Sequence, residues 1–259
     1  LIDGPILVVT PGGKKASLVA LNKKTGELIW KSIVSNAGDA AYASAIVVEL
    51  DGVKQYVQFL EKGVVGVDAR TGQFLWRYDE TAKNSMANIP TPVAHGGYVY
   101  TATAMGGAAL VKLTAASGGI RAESVYTSKK LPDRIGGAVQ VGEYLYGTTG
   151  RGVLCATFKT GKVLWEDRCV GPGSICYADG CLYVHGENTG AVALVAATPT
   201  SYREKGRFTP PGQPDYRADG SGTKAWSYPV VANGRLYVRN QGSLWCYDIS
   251  AESPTHKGR

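Results

Sequence analysis

The side chains of this sequence that could do chemistry are few and widely spaced. Cysteines stand at Cys155, Cys169, Cys176, Cys181 and Cys246, an odd count that leaves at least one unpaired within the chain. Cys176-x4-Cys181 spans a predicted hairpin turn, a poor zinc knuckle without a second pair and a nearby histidine. Two readings stay open: buried thiols, or a disulfide from Cys169 to Cys176 or Cys181, which would mark an oxidising compartment. The three histidines, His95, His185 and His256, are too scattered for a metal site and read as turn or surface residues. No Ser-His-Asp or Cys-His grouping has workable spacing. Glycine-rich Met105-Gly-Gly107 precedes a strand and not a helix, so it is no phosphate loop.

What must position any site here is a repeat. Ala20-Leu-Asn-Lys-Lys-Thr25-Gly26-Glu-Leu-Ile-Trp30 returns as Gly66-Val-Asp-Ala-Arg-Thr71-Gly72-Gln-Phe-Leu-Trp76, and again around Thr160-Gly161 and Trp165. Trp30 to Trp76 is 46 residues and Trp76 to Trp165 is 89, so the third copy sits two periods on. A fixed period in this range signals a repeat architecture. Within the unit, apolar alternation predicts two short strands joined by the Thr-Gly turn. Gly26, Gly72 and Gly161 supply a positive φ there, and Asn22 or Asp68 can hydrogen-bond the backbone of its own turn. The tryptophans Trp30, Trp76 and Trp165 end the outer strand, where a large ring can cover the neighbouring unit.

A second mark precedes each unit: two apolar strands around a two-residue turn. The turns are Asp3-Gly4, Asp51-Gly52, Gly96-Gly97, Gly142-Glu143, Asp179-Gly180 and Asn233-Gly234. Joining the marks gives four strands in about 45 residues, the arithmetic of a β-propeller blade. The predicted blades run over 1–31, 42–78, 90–127, 135–168, 173–208 and 226–250 in one all-β domain, the first and last incomplete, with a Pro/Gly-rich inter-blade loop at 209–225. Blade 3 has Ser117-Gly118 in place of Thr-Gly and no tryptophan, and blade 5 has Thr198-Pro199. Two further N-terminal blades and a closing strand would make an eight-bladed ring.

Composition agrees with this. The 34 glycines, about 13 %, fall between short apolar runs and are turn residues. No apolar run approaches the ~18 residues of a membrane span. The net charge of +7 is spread over nearly all units, which predicts a solvated basic surface and no nucleic-acid site.

The Ala20-x-Asn22-x-x-Thr25-Gly26-x-x-x-Trp30 unit and its copy at Gly66 resemble the tryptophan-docking repeat of the pyrroloquinoline quinone (PQQ) propeller superfamily. Tyr-Val-Gln-Phe-Leu-Glu-Lys-Gly-Val-Val-Gly-Val-Asp from Tyr56, Ala-Asn-Ile-Pro-Thr-Pro from Ala87 and Thr-Gly-Lys-Val-Leu-Trp from Thr160 are similar to exported PQQ-binding-like repeat proteins of bacteria. The resemblance implies one of two functions. One branch holds PQQ- and calcium-dependent dehydrogenases; the other, the BamB type, binds partners without catalysis. It also implies a periplasmic or otherwise exported location. Dehydrogenation would need a carboxylate base and an oxygen-ligated calcium, for which the acidic candidates are Asp39, Glu49, Asp79, Glu80 and Asp133. The adjacent cysteine pair of many of the family's alcohol dehydrogenases is absent. Topology places a ligand site at the channel mouth, lined by Tyr42, Asn88, Arg134, Ser174, Trp226 and Tyr228 and suited to a protein or small polar ligand. The expectation is a non-catalytic binding or scaffold module, with PQQ and calcium as the cofactors of the alternative, a quinoprotein dehydrogenase.

Overall fold

The computed structural model describes residues 1–85, 87–117, 119–214 and 222–250. Alternating side chains and left-handed turns write its strands. Asp51-Gly52, Gly96-Gly97, Asp179-Gly180 and Asn233-Gly234 all have positive φ at both positions, the backbone that matches the twist of a hairpin. The first turn sits one residue later than the sequence suggested. Asp3 pairs with Ile6, so Gly4-Pro5 makes the turn: Gly4 supplies the positive φ and the proline ring holds a negative one.

The strands form six antiparallel sheets. Blade 1 is β1 (Ile2–Asp3), β2 (Ile6–Val9), β3 (Leu18–Asn22) and β4 (Leu28–Ser32). Blade 2 is β5 (Ile46–Leu50), β6 (Val53–Leu60), β7 (Gly63–Asp68) and β8 (Phe74–Tyr78). Blade 3 is β9 (Val93–His95), β10 (Tyr98–Thr103), β11 (Gly107–Ala116) and β12 (Gly119–Ser128). Blade 4 is β13 (Ala138–Val141), β14 (Tyr144–Thr148), β15 (Val153–Thr157) and β16 (Val163–Asp167). Blade 5 is β17 (Gly173–Ala178), β18 (Cys181–Gly186), β19 (Val192–Ala196) and β20 (Glu204–Phe208). Blade 6 has three strands among the described residues, β21 (Val230–Ala232), β22 (Arg235–Asn240) and β23 (Ser243–Asp248). Stretch 209–225 falls between β20 and β21, with 215–221 outside the described residues. The inner strands β5, β9, β13, β17 and β21 are neighbours in turn, which is the β-propeller arrangement.

The cores lie between sheets. One cluster joins Leu18, Ala20 and Trp30 to Tyr56, Val65 and Ala69, and similar clusters join blades 2 and 3, 3 and 4, 4 and 5, and 5 and 6. Blade 1, read from the sequence as incomplete, has four strands, and in each of the five four-stranded blades the two outer strands carry a bulge at the same place, opposite Ala20, Gly66, Leu110, Cys155 and Leu194. The residue paired there is Trp30, Trp76, Tyr126, Trp165 and Gly206.

These equivalent residues behave differently. Trp30 Nε1 donates to Ala69 O of blade 2 at 3.1 Å, and its ring lies where a Cβ on Gly72 would stand. Asp68 Oδ1 accepts from Arg70 N and Thr71 N and holds that turn in shape. Tyr126, which the sequence pattern missed because it is not tryptophan, does the same for blade 3. Its hydroxyl donates to Phe158 O of blade 4 at 2.9 Å, and its ring faces Gly161. Trp165 Nε1 donates to Thr198 O of blade 5 at 2.8 Å. Trp76 departs from the expectation. Its indole lies over Gly66 of its own sheet and donates to Gln55 Oε1, because β11 and β12 run on as a ten-residue pair and leave no Thr-Gly turn there. Gly26 has no atom within 4 Å of where its Cβ would be and serves its turn through φ alone.

All five cysteines are free thiols, so no disulfide joins Cys169 to Cys176 or Cys181. Burial pushes the Cys155, Cys169 and Cys176 thiols up in pKa, and they pack as small apolar side chains.

Truncation of the blade 1 ring, Trp30→Ala, leaves a large cavity and is expected to destabilise the protein by about 3–5 kcal/mol. Tyr126→Phe keeps the ring and loses one hydrogen bond, for about 1 kcal/mol. Urea unfolding followed by fluorescence measures both; equal effects would contradict the packing described.

Candidate functional site

The loops joining each outer strand to the next inner strand meet around the central channel, together with the turns that follow β6, β10, β14 and β18. Polar side chains at the ends of those second strands hold the loops. Gln58 Nε2 donates to Ala43 O at 2.9 Å, Thr103 Oγ1 to Thr81 O at 2.7 Å, and Thr148 Oγ1 to Gly173 O at 2.6 Å. His185 Nδ1 meets Ser227 O at 3.2 Å. Each bond fixes a loop carbonyl that would otherwise be buried without a partner.

His185 corrects the sequence reading. It lies in β18, 0 % exposed, and is neither a turn nor a surface residue. Its strand position points it inward, and burial lowers its pKa, so the ring is neutral. Nδ1 carries the proton given to Ser227 O, which leaves Nε2 as an acceptor without a partner among the described residues. His95 is exposed at the end of β9, its ring edge against Phe158. His256 lies outside the described residues.

The six candidate mouth residues divide into two groups. Tyr42, Trp226 and Tyr228 are exposed, at 76, 56 and 42 %. Asn88 and Ser174 are buried and act on the backbone. Asn88 Nδ2 donates to Leu60 O and Glu61 O, both at 2.8 Å, and its backbone carbonyl accepts from Tyr42 N at 3.1 Å. Ser174 Oγ reaches Trp226 O at 3.5 Å. Tyr228 crosses to the loop before blade 4, where its hydroxyl donates to Ile135 O at 2.7 Å. Arg134, half-buried, lies next in sequence to that anchor.

Arg134 lines a cavity of about 250 Å³ with Ser85, Ile89, Met105, Asp133 and Glu187. Burial pushes the Asp133 carboxyl up in pKa while the Arg134 guanidinium, 3.5 Å away, lowers it. Two larger cavities follow on the same face. One, about 460 Å³, shares Asp133 and Arg134 with the first and adds Lys129, Lys130, Gly150, Arg151 and Glu166. The other, about 760 Å³, shares Gly150, Arg151 and Glu166 and adds Arg168, Cys169, Asn188 and Arg207. Sequence reasoning missed these walls because their residues come from turns that carry no motif. The sole signal was the scatter of arginines after the outer strands.

The acidic candidates do not converge. Asp79 pairs with Arg77, Glu80 with Lys83 and Asp133 with Arg134. Asp39 lies in the loop before blade 2, its backbone N–H donating to Glu61 at 2.8 Å, and Glu49 is exposed on β5. Among the described residues no three His, Cys, Asp or Glu side chains lie close enough together to hold a metal ion. Among the described residues these carboxylates do not gather into a ligand cluster for calcium. No helix among the described residues is long and apolar enough to cross a membrane.

A family model described as outer membrane protein assembly factor BamB matches residues 1–203. No curated protein sequence matches the chain. Among solved structures, BamB from Moraxella catarrhalis superimposes with a TM-score of 0.64 at 17 % identity, over 93 % of this chain and 68 % of that one. A europium-containing methanol dehydrogenase gives 0.58 at 13 % identity, over 93 % and 60 %. Apo AztD from Citrobacter koseri gives 0.52 at 13 % identity, over 95 % and 67 %. At these identities the structural likenesses establish the propeller fold and no activity.

The buried imidazole makes stability depend on pH. With its folded pKa below the ordinary value of about 6.5, His185 takes up a proton more readily in the unfolded chain. Its share of stability is therefore full above that value and is lost as pH falls below it. Urea midpoints measured from neutral to mildly acid pH should fall, and should fall less in His185→Gln. An equal fall in both would assign the acid sensitivity elsewhere.

Proposed function

The chain belongs to the family of the outer membrane protein assembly factor BamB, and we propose that it is a non-catalytic binding module that works outside the cytoplasm. The observation that supports this reading is the exposed rim at the channel mouth. Tyr42, Trp226 and Tyr228 expose large aromatic surfaces, on loops whose backbones are held by Asn88, Ser174 and the Tyr228 hydroxyl. Rigid aromatic anchors on a fixed frame are the usual hot spots of a protein interface. In this reading Asn88 and Ser174 are positioning residues, Arg134 contributes charge at the rim, Trp30, Trp76 and Trp165 with Gly72 and Gly161 serve blade packing, and Gly26 shapes its own turn.

The dehydrogenase alternative rests on fold likeness to a methanol dehydrogenase. The donor set described above gives it no support.

Two measurements separate the readings. Titration with PQQ and calcium, followed by a dye-linked alcohol oxidation assay, is expected to show neither tight uptake nor turnover; both together would overturn the proposal. Cross-linking and capture of partner proteins from the extracytoplasmic fraction should fall at least about tenfold in Tyr42→Ala with Trp226→Ala, as expected for loss of two hot-spot aromatics. Capture unchanged by that pair of substitutions would remove the mouth from the interface.

A further inference from the structure

The three cavities on the loop face are contiguous. Asp133 and Arg134 wall both the first and the second, and Gly150, Arg151 and Glu166 wall both the second and the third. Together they make one groove that leaves the channel mouth, passes the turn after β14 and ends between blades 4 and 5. The two outer cavities have six cationic side chains on their walls, Lys129, Lys130, Arg134, Arg151, Arg168 and Arg207, against three carboxylates, Asp133, Glu166 and Asp167.

Much of the negative charge there is already engaged. Asp133 stands beside Arg134 at 3.5 Å, Glu166 accepts from Thr149 Oγ1 at 3.0 Å, and Asp167 Oδ1 accepts from Cys169 N at 2.8 Å. Several cations are not. Among the described residues Lys129, Lys130 and Arg168 make no ion pair, and Arg151 reaches Glu166 only at 3.9 Å with its side chain 84 % exposed. Arg134 is paired with Asp133, and Arg207 is tied down by two bonds to Glu204. Unspent positive charge thus lies along the two larger cavities of the groove, from Lys129, Lys130 and Arg151 in the second and from Arg168 in the third.

We propose that the two larger cavities of this groove bind an extended acidic segment of the protein partner, its carboxylates spaced to meet Lys129 and Lys130 at one end, Arg151 between, and Arg168 at the other. This inference rests on the binding role proposed above and names the partner's chemistry. Charge complementarity of this kind steers encounter and fixes register, and arginine favours paired contacts with carboxylates. A nucleic acid fits less well. Among the described residues no aromatic side chain lines the two outer cavities, so bases would have nothing there to stack on, and the carboxylates along the walls would repel an unbroken phosphate chain.

The test uses the whole chain and a fluorescein-labelled peptide of alternating Asp and Gly, with an Asn/Gly peptide as control. The acidic peptide should bind, the control should not, and affinity should fall steeply as NaCl rises from about 50 to about 500 mM. R151E with R168E should weaken binding at least about tenfold, and R151Q with R168Q by less, while thermal unfolding stays unchanged because both side chains are exposed. Equal binding of both peptides, or tighter binding of single-stranded oligothymidylate, would overturn the inference. So would partner capture that is lost in the Tyr42 and Trp226 variants yet unchanged in R151E with R168E, an outcome that leaves the binding role itself standing.

Discussion

Everything in this molecule hangs on how one sheet is fastened to the next. Each core cluster is shared by two neighbouring blades, so no blade buries its apolar face alone. At three joints the fastening takes the same form: an aromatic side chain from the outermost strand lies against the next blade and donates to a turn carbonyl. The recurring bulge opposite that aromatic gives it a constant place on the strand. An indole or a phenol meets the geometric need, since each joins a large apolar surface to one donor at its edge.

The same economy of polar groups shapes the loop face. Loops that converge on a channel bring many carbonyls out of water, and the ends of the second strands meet them with Gln58, Thr103, Thr148 and His185. With the backbones fixed from beneath, the outward side chains of Tyr42, Trp226 and Tyr228 stand on a frame that need not reorganise on binding.

The fold was legible because the blade repeats its punctuation. A Thr-Gly turn, a terminal tryptophan and a two-residue hairpin recur at one spacing, and local pattern and global architecture agree. Drift hid the rest. Tyr126 occupies a tryptophan position under another name, and Trp76 keeps the name while its partner turn has become the long hairpin of β11 and β12. His185 looked like a strand-end polar residue because burial depends on the loop that folds over it, and Ser227 lies 42 residues away. The groove was less legible still. Its walls come from turns of successive blades, where no spacing within one segment reports who faces whom.

The joints are not equal, and that inequality bears on how the molecule comes apart. Between blades 5 and 6 the aromatic position is Gly206, which brings no ring and no donor. Phe208 and Tyr247 make an edge contact there instead, with ring centres 4.7 Å apart, and the Tyr247 hydroxyl has no hydrogen-bond partner among the described residues. In an array coupled only through neighbours, cooperativity is set link by link. Amide protons of β22 and β23 should therefore exchange through a partial opening that leaves blades 1 to 5 intact, so the array behaves as a chain of foldons and not as a single all-or-none unit.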